Sequence, residues 1–368
     1  MAKDIHKSAF EESTLVKLAI FRDYLKEWLP VFLAARTVYW KKVNVFDFFA
    51  GPGKDSTGNN GSPLIIVEEL LPHLDLAVSK NLVISLHFNE NDKQKYDELS
   101  ARILSPEFAP GQYNKIVENL DFKVAFDNWY SKMNDRDTAN LLFLDQYGVK
   151  HITEEVFKQI IGLKRTDFLF FISSSTIKRF ADHPSIQAYF KLDKSEIENI
   201  PYHQIHRYML NYYKSLIPAD KQYYLSSFSL RKGSNIYGLI FGSGHPLGME
   251  KFLGTCWNID PERGEANFDI DNEKINHQQY DLFADGDGIR KPNKVEAFEQ
   301  DLETHFRNKD FKTTKDIYLY VLSNGFLPRH AKSVIKKMID NNVIARETYS
   351  LSNKLCKPNV LIPTIQYC

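Results

Sequence analysis

The feature that most constrains the fold of this chain is a regular alternation, between residues 42 and 172, of short apolar runs with amphipathic segments. Short continuous apolar runs are typical of strands buried on both faces of a parallel sheet, and three- and four-residue apolar spacing is typical of helices. Five strands are predicted, at Lys42–Phe49, Leu82–Phe88, Tyr113–Val117, Asn140–Leu144 and Asp167–Ile172. The alternation predicts right-handed strand–helix–strand crossovers on a parallel sheet.

Helices are predicted between these strands, at Pro63–His73, Asp92–Leu104, Phe122–Lys132 and Thr153–Ile161. A further amphipathic helix runs from Glu12 to Ala34 and is expected to break at Pro30. Two late strands, Tyr223–Ser229 and Tyr237–Gly242, are spaced as an antiparallel hairpin with its turn at Gly233–Ser234–Asn235. The predicted fold class is therefore α/β, a doubly wound and mostly parallel sheet of seven strands.

Two regions depart from this alternation. Residues 176–222 are rich in His, Tyr and Lys and contain a predicted helix at Ile205–Leu216, and we interpret them as an insertion that contacts substrate. Residues 258–293 are polar and are interpreted as a linker. Within them, Asp281–Gly288 is similar to a calcium loop but lacks the glutamate that such a loop needs at its twelfth position.

The C-terminal part of the chain is predicted to be a separate module. Its helices are expected at Val295–Arg307, Thr313–Ser323 and Pro328–Asn341, and its short strands at Val343–Ile344 and Val360–Ile362. Three short helices with a small hairpin are typical of a winged helix. The predicted domains are an N-terminal helical segment at 1–40, the α/β domain at 41–257, the linker at 258–293 and the winged-helix-like module at 294–368.

Charge is balanced over the whole chain, with 47 basic and 47 acidic residues, so no global field favours nucleic acid or an anionic membrane. The segment Arg290–Cys368 differs, because it holds 14 Lys and Arg residues against 8 Asp and Glu residues. Its third helix carries the residues predicted to contact nucleic-acid phosphates, namely Arg329, Lys332, Lys336 and Lys337. A solvated helix face is the usual alternative explanation of such a run.

The three cysteines, Cys256, Cys356 and Cys368, form no pattern with metal-ligand spacing, and no metal site is expected. No apolar run approaches the length needed to cross a bilayer, and the N-terminus lacks the apolar core of a signal peptide. We therefore expect a reduced, cytoplasmic protein without a membrane partner.

The most informative motif follows the first predicted strand, where Asp47 precedes Phe49, Gly51 and Gly53 at alternate positions. Glycines allow a ligand to approach the backbone closely, and Asp47 can accept a hydrogen bond or pair with an ammonium group. The spacing predicts the binding loop for the adenosine–methionine ligand S-adenosylmethionine. A structural glycine turn, which follows many strands, is the alternative.

Polar residues also follow the next two predicted strands. Glu90 is placed to bridge the two hydroxyls of a ribose, as acidic residues do at that strand end in dinucleotide folds. Asn119 and Asp121 follow the third strand, where side chains can reach an adenine ring. Helix capping is an equally good interpretation of Asn119 and Asp121.

The fourth strand is followed by Asp145, Gln146 and Tyr147, which are the candidate catalytic residues. They lie beside the point where the strand order of a doubly wound sheet reverses and where ligands bind. Amino-methyltransferases often place there an acid or amide, two prolines and an aromatic residue. This chain keeps the acid and the aromatic residue but has Gln146 and no proline, so methylation of an amine is not established by the motif.

The chain resembles the three-Cys-motif partner protein (TcmP) family of bacteria over residues 10–250. The resemblance lies in Thr14, Lys17, Tyr24 and Leu25, in Asp47–Gly53, in Gly61–Leu64 and in Asp145–Gly148. Members look like class I S-adenosylmethionine-dependent methyltransferases, and they occur beside a protein whose three-cysteine motif resembles radical S-adenosylmethionine enzymes. The resemblance implies S-adenosylmethionine as cofactor and a three-Cys-motif protein as partner. It assigns Asp47, Gly51 and Gly53 to the cofactor loop, Glu90 to the ribose and Asp145 to methyl transfer.

The family more often has Asp-Pro-aromatic-Gly where this chain has Asp145–Gly148, and Gln146 departs from that pattern. Two functions are therefore expected. The first is an S-adenosylmethionine-dependent methyltransferase of a nucleic acid or nucleotide-containing substrate, held in part by the basic C-terminal module. The second is a non-catalytic adaptor that keeps the fold and serves the three-Cys-motif protein. A phosphoryl-transfer enzyme is disfavoured, because Asp145 has no acid or lysine at suitable spacing in the sequence.

Overall fold

The computed structural model describes residues 9–105, 113–146, 148–190, 192–233, 235–271, 292–347 and 349–368. The chain divides into two compact units, Met1–Lys251 and Phe252–Cys368. Across the described ranges, no helix combines the length and apolar character that a membrane span requires.

The first unit contains seven strands and the helices that connect them. The strands are β1 (Lys42–Asp47), β2 (Val83–Asn89), β3 (Asn114–Glu118), β4 (Thr138–Leu144), β5 (Thr166–Ile172), β6 (Tyr224–Lys232) and β7 (Asn235–Ser243). The helices up to β5 are α1 (Glu12–Leu33), α2 (Ser62–Leu70), α3 (Leu74–Ser79), α4 (Lys93–Ile103), α5 (Phe122–Met133) and α6 (Glu154–Gly162). Those after β5 are α7 (Ser174–Phe180), α8 (Pro184–Gln187), α9 (Lys194–Asn199), α10 (Ile205–Ser215) and α11 (Pro246–Ile259), of which α11 continues into the second unit.

The strands form one sheet in the order β3-β2-β1-β4-β5-β7-β6. Strands β1 to β5 pair in parallel, whereas β7 lies antiparallel to both β5 and β6. The predicted α/β fold is therefore confirmed, a doubly wound and mostly parallel seven-stranded sheet of the Rossmann-like methyltransferase type. Because the strand order reverses between β1 and β4, the carboxyl ends of these strands flank the crevice where ligands bind in such sheets.

The strand register brings three motif segments to the same edge of the sheet. Asp47, the last residue of β1, lies opposite Phe88 of β2 and Phe143 of β4. Glu90 and Asp145 come two residues after Phe88 and Phe143, directly beyond the ends of β2 and β4. The acidic residues that the sequence placed in three separate motifs therefore end three adjacent strands.

Helix α1 packs along the sheet through one apolar stripe. Phe21, Tyr24 and Trp28 of this stripe are buried, and the Phe21 ring stacks on the Phe143 ring with centroids 4.1 Å apart. The break expected at Pro30 is wrong, because α1 continues to Leu33. Pro30 lies in the last turn, where its missing N–H removes one hydrogen bond without disturbing the turns before it.

Several element ends differ from the sequence prediction. Strand β1 ends at Asp47, two residues before the predicted end, because the Phe49 N–H turns back to donate to Asp47 Oδ1 at 3.2 Å. The predicted helix after the glycine loop is divided at Leu71–His73, a 3-10 turn that contains a proline. The late hairpin strands are longer than predicted, and Lys232 pairs with Asn235 across the turn. Ser234, in the middle of the predicted turn, lies outside the described residues.

The second unit has the topology of a winged helix. Its helices are α12 (Lys294–Arg307), α13 (Thr314–Ser323) and α14 (Lys332–Asp340). Asn293 and Thr313 begin α12 and α13 with capping boxes, in which the cap side chain and the third helical residue exchange hydrogen bonds. Two isolated bridges, Thr313–Thr364 and Ile344–Tyr367, join the segment before α13, the segment after α14 and the C-terminal segment. The predicted winged-helix module is confirmed.

Two details of the C-terminal prediction change. The strand expected at Val360–Ile362 is wrong, because pairing occurs later, at Thr364 and Tyr367, and the Leu361 side chain is 92% exposed. Residues 260–271, in the predicted linker, are packed around Arg263, which is 2% exposed and pairs with Asp269 at 2.7 Å. The calcium-like stretch Asp281–Gly288 lies outside the described residues.

Candidate functional site

Asp47 is a fully buried carboxyl group at the centre of the carboxyl edge of the sheet. Its Oδ1 accepts the Phe49 N–H, while its Oδ2 is buried without a hydrogen-bond partner among the described residues. The pKa of Asp47 is raised to about 7, chiefly by burial. The Ser62 side chain and the Phe49 N–H lower the pKa through hydrogen bonds, and the nearby negative charges of Asp145 and Glu90 make a smaller contribution that raises it. A buried polar atom without a partner costs free energy, so Oδ2 marks a place where a donor or cation would be stabilising.

The loop after Asp47 takes backbone conformations that favour glycine. Gly51 and Gly53 have φ values of 62° and 87°, in the left-handed region. The Gly53 carbonyl accepts the Gly61 N–H at 2.8 Å, and a Cβ on Gly61 would lie 3.2 Å from that oxygen. The Arg102 guanidinium donates to the Pro52 carbonyl from α4. The loop is thus closed on itself and held against α4.

Glu90 contacts this loop directly. Its Oε2 accepts the Gly51 N–H at 2.9 Å, and its Oε1 accepts the Asp92 N–H at 2.8 Å. Each carboxylate oxygen has a second lone pair, so both can still accept a hydrogen bond from a ligand hydroxyl. The structure therefore brings the predicted ribose residue and the predicted cofactor loop together.

The residues after β3 are held by local hydrogen bonds. The Asn119 amide donates to the carbonyls of Glu90 at 2.7 Å and Asn91 at 3.0 Å. Asp121 caps α5, where its side chain accepts the Lys123 N–H at 2.9 Å. The capping interpretation of Asp121 is confirmed, and Asn119 connects the ends of β3 and β2.

Asp145, at the end of β4, forms an ion pair with Lys17 of α1. The side chains of Lys17 and Asp145 are 14% and 26% exposed, so the pair is largely shielded from water. The Lys17 ammonium also lies 5.0 Å from the centroid of the Phe171 ring, at the end of β5. The predicted methyl-transfer residue thus has a cationic partner that was not among the predicted site residues.

Gln146 is buried, and both the nitrogen and the oxygen of its side-chain amide form hydrogen bonds with the backbone. Its Nε2 donates to the Phe171 carbonyl at 3.0 Å, and its Oε1 accepts the His151 N–H at 2.9 Å and the Ile152 N–H at 3.4 Å. These contacts join the loop after β4 to the end of β5. Gln146 therefore fixes the backbone beside Asp145. Tyr147 lies outside the described residues.

An aromatic cluster adjoins the binding loop. Phe49 is half-buried, and its ring lies 5.2 Å from Phe122 and 5.1 Å from His151, measured between centroids. Burial lowers the pKa of His151 to about 4, so this ring is neutral at physiological pH. The predicted cofactor residue Phe49 therefore belongs to an apolar wall that includes two residues the motifs did not identify.

Lys17 had a detectable signal in the sequence. It precedes Phe21 by four residues and Tyr24 by seven, so it lies on the stripe that packs against the sheet. A lysine on a buried stripe is unusual unless a partner neutralises it. The sequence did not identify that partner, because Asp145 is 128 residues away.

The basic residues of the second unit differ in their surroundings. Lys337 forms an ion pair with Glu303 of α12, and the neighbouring Ser333 hydroxyl donates to Glu299 at 2.6 Å. Lys332 and Lys336 are exposed and make no ion pair with any described residue. Arg329 is also exposed and precedes α14 in a 3-10 turn. One side of α14 is thus neutralised by α12, and the other presents free positive charge.

Residues 268–345 match the model of the family described as the GMT-like wHTH domain, where wHTH denotes a winged helix-turn-helix. No curated protein sequence matches the chain. Among matching solved structures is the O-methyltransferase TomG from Streptomyces achromogenes in complex with SAM, at 12% identity, with 62% of this chain and 78% of that chain covered and a TM-score of 0.33.

A second match is Trm1 from Pyrococcus horikoshii with S-adenosyl-L-methionine, at 10% identity over 97% of this chain and 91% of that chain, with a TM-score of 0.34. A third is an O-methyltransferase from Bacillus cereus in complex with SAH, at 12% identity over 64% and 83% of the two chains, with a TM-score of 0.34. Because these TM-scores are low, the assignment of the fold rests on the strand order of this chain.

Proposed function

We propose that this protein is an S-adenosylmethionine-dependent methyltransferase of the three-Cys-motif partner family, acting on a nucleic acid or a nucleotide-containing substrate. The main support for the proposal is that Glu90, Asp47 and Asp145 lie together at the ends of β2, β1 and β4. They adjoin a loop whose glycines leave room for a ligand. These three residues form a polar edge at the point where the strand order reverses, which supports a ligand site there.

The residues at this edge fit S-adenosylmethionine. The unpartnered Oδ2 of Asp47 would take the ligand's ammonium group, and the free lone pairs of Glu90 would take the ribose hydroxyls. Phe49 would lie against the adenine, beside Asn119 and Asp121. The bound cofactor supplies a methyl group on a sulfonium, which is already a good leaving group. Positioning of the nucleophile is then the main task of the protein.

The winged helix supports a nucleic-acid substrate. In helix-turn-helix modules the recognition helix enters the groove of the nucleic acid, and α14 has the corresponding place in this fold. Its exposed Lys332 and Lys336, with Arg329 just before it, carry unneutralised positive charge suited to phosphates. We assign the phosphate contacts to these three residues and give Lys337, paired with Glu303, a smaller share.

The second candidate is an adaptor that binds the cofactor but transfers no methyl group, and that serves a three-Cys-motif protein. Gln146 favours it, because both ends of this amide are bound to the backbone and present nothing to a substrate. The two candidates differ in what Asp145 does. In an enzyme Asp145 acts on the nucleophile, whereas in an adaptor it only holds α1 through Lys17.

Transfer of a labelled methyl group from S-adenosylmethionine to total RNA and to DNA tests the choice. An enzyme should label one of these acceptors, and Asp145→Asn should reduce labelling by at least about 100-fold while cofactor binding persists. Lys26→Met is the matched control, because Lys26 is an exposed residue of the same helix as Lys17. No labelling by a wild type that binds the cofactor would favour the adaptor.

A further inference from the structure

The ion pair between Lys17 and Asp145 sets the charge of the place where the proposed reaction occurs. A carboxylate alone at that position would stabilise the positive charge that develops on an amine as it attacks the methyl group. Here the Lys17 ammonium already neutralises it, and both side chains are largely shielded from water. In such surroundings a charge interacts with its neighbours more strongly than it would in bulk solvent.

The pair is held in place from several sides. Phe21 and Tyr24, on the same stripe of α1 as Lys17, are fully buried against the sheet, and the Phe171 ring lies 5.0 Å from the Lys17 ammonium. Gln146 fixes the backbone beside Asp145 through the Phe171 carbonyl and the His151 N–H. Before α1, the Phe10 N–H donates to Asp55 Oδ2 at 2.7 Å, in the loop that follows Gly53. The start of α1 thus borders the crevice from the glycine loop to Asp145.

The two groups of the pair have complementary capacities. Asp145 is bound to Lys17 through Oδ2, and in the described part of the chain its Oδ1 forms no hydrogen bond. Oδ1 can therefore accept a proton from a nucleophile, while the Lys17 ammonium stabilises negative charge that develops on that nucleophile. A neutral hydroxyl needs both functions. A neutral amine needs no base in order to attack, but its nitrogen becomes positively charged as the bond to the methyl carbon forms, and the Lys17 ammonium opposes that charge.

We propose that Lys17 is a specificity-determining residue of the methyl-transfer site, and that with Asp145 it selects a hydroxyl rather than an amine as the methyl acceptor. This inference rests on the proposed function. In the transfer, the hydroxyl oxygen forms the bond to the methyl carbon and the carbon–sulfur electron pair goes to sulfur. The O–H bond breaks and its proton goes to Asp145. The products are a methyl ether, the neutral thioether and a protonated carboxyl that later loses its proton to water.

Three ligands that differ in charge at the methyl position test the proposal by calorimetry. S-adenosylhomocysteine has a neutral sulfur, S-adenosylmethionine a sulfonium, and sinefungin an ammonium group in place of the methyl sulfonium. Lys17→Met should leave S-adenosylhomocysteine affinity within about twofold and raise sinefungin affinity at least about fivefold, because a nearby positive charge is removed. Asp145→Asn should weaken sinefungin relative to S-adenosylhomocysteine, and Lys26→Met should change neither.

The outcomes separate this inference from the proposed function. Failure of the wild type to bind S-adenosylhomocysteine would sink the proposed cofactor site. Normal S-adenosylhomocysteine binding with an unchanged sinefungin ratio in Lys17→Met, or an equal loss of all three ligands, would overturn the role of Lys17 alone. The product supplies a second readout. Nucleoside analysis of labelled RNA or DNA should find the methyl group on oxygen, with transfer lost in Lys17→Met, and a methyl group on nitrogen would overturn the proposal.

Discussion

Asp47 is a buried carboxyl group whose Oδ2 has no hydrogen-bond partner among the described residues. Its pKa is raised to about 7, chiefly by burial, so near neutral pH the ligand-free protein holds it partly protonated. An ammonium group placed at Oδ2 would favour the carboxylate form. The binding of the proposed cofactor is therefore linked to the release of a proton from this residue.

We predict that affinity for S-adenosylmethionine rises about tenfold between pH 6 and pH 8, because ionisation of Asp47 precedes binding. Asp47→Asn should bind more weakly and lose this pH dependence. Calorimetry at several pH values measures both effects. Asp167→Asn is the matched control, because Asp167 is also buried and its pKa is also raised, to about 6. Asp167 lies near the amino end of β5, away from the proposed site, and accepts a hydrogen bond from the Tyr24 hydroxyl at 2.7 Å.

The same pKa predicts the stability of the ligand-free protein. A carboxyl whose folded pKa is raised contributes stability that is complete below its unfolded pKa of 3.8 and is lost as pH rises through about 7. Asp47→Asn should therefore be more stable than wild type at pH 8, by up to on the order of 4 kcal/mol, and the advantage should shrink towards pH 5. Urea unfolding at the two pH values checks the sign, and an advantage that grows towards acid pH would contradict it.

At the scale of elements, the antiparallel end of the sheet depends on a glycine in β7. Gly242 lies opposite Phe168 of β5 and Leu225 of β6. A Cβ at this position would lie 2.2 Å from Phe168 Cζ and 2.9 Å from Leu225 Cδ2. The aromatic ring occupies the space that any other residue would need, so the pairing of β5 with β7 requires glycine here.

We predict that Gly242→Ala lowers the free energy of unfolding by about 2 kcal/mol through overpacking. Gly254→Ala is the matched control, because Gly254 lies in α11 with no atom within 4 Å of an added Cβ. Alanine should raise stability there by about 0.5–1 kcal/mol through helix propensity. Urea unfolding of the two variants measures both. A Gly242→Ala protein as stable as wild type would show that the ring moves aside without cost.

The elements themselves could be predicted wherever the determining pattern is local. Each of the seven strands overlaps a strand that was predicted from the sequence, and the α5 cap at Asp121 was one of two open interpretations. The predictions that were wrong concern features that depend on distant contacts or on the position of a residue within an element. Helix α1 continues past Pro30 because this proline lies in its last turn. The C-terminal segment pairs at Thr364 and Tyr367, after the predicted Val360–Ile362, because its pairing partners are Thr313 and Ile344.

The site shows the same division. Asp47, Gly51 and Glu90 could be placed from strand ends, because parallel strands bring their carboxyl ends together. The ion-pair partner of Asp145, Lys17, could not be predicted from the sequence, because the packing of α1 on the sheet brings the two residues together. Gln146 could be noted as a departure from a motif, but its backbone contacts at Phe171 and His151 come from the fold.

On the scale of the whole molecule, the chain joins an α/β unit and a winged-helix unit. The local excess of positive charge lies in the segment Arg290–Cys368, with 14 Lys and Arg residues against 8 Asp and Glu residues. We predict that Lys332→Gln with Lys336→Gln weakens binding to an RNA hairpin or a DNA duplex. Loss of two phosphate contacts should reduce the slope of log affinity against log salt by about 2. Fluorescence anisotropy at several salt concentrations measures this slope.

Lys337→Gln is the comparison variant, because Lys337 lies on the same helix but is neutralised by Glu303. It should change the salt slope less than either single variant of the exposed pair. Equal effects of Lys336→Gln and Lys337→Gln would contradict the assignment of the free face of α14 to phosphates. Thermal unfolding of each variant controls for loss of the module's fold.

The central claim is that the edge formed by β2, β1 and β4 binds S-adenosylmethionine, and titration calorimetry tests it most directly. S-adenosylmethionine and S-adenosylhomocysteine should bind the wild type with micromolar affinity, and Asp47→Ala and Glu90→Ala should each lose at least about tenfold, since each removes a charged hydrogen-bond partner. Binding that persists unchanged in both variants, or no heat from a folded wild type, would contradict the claim.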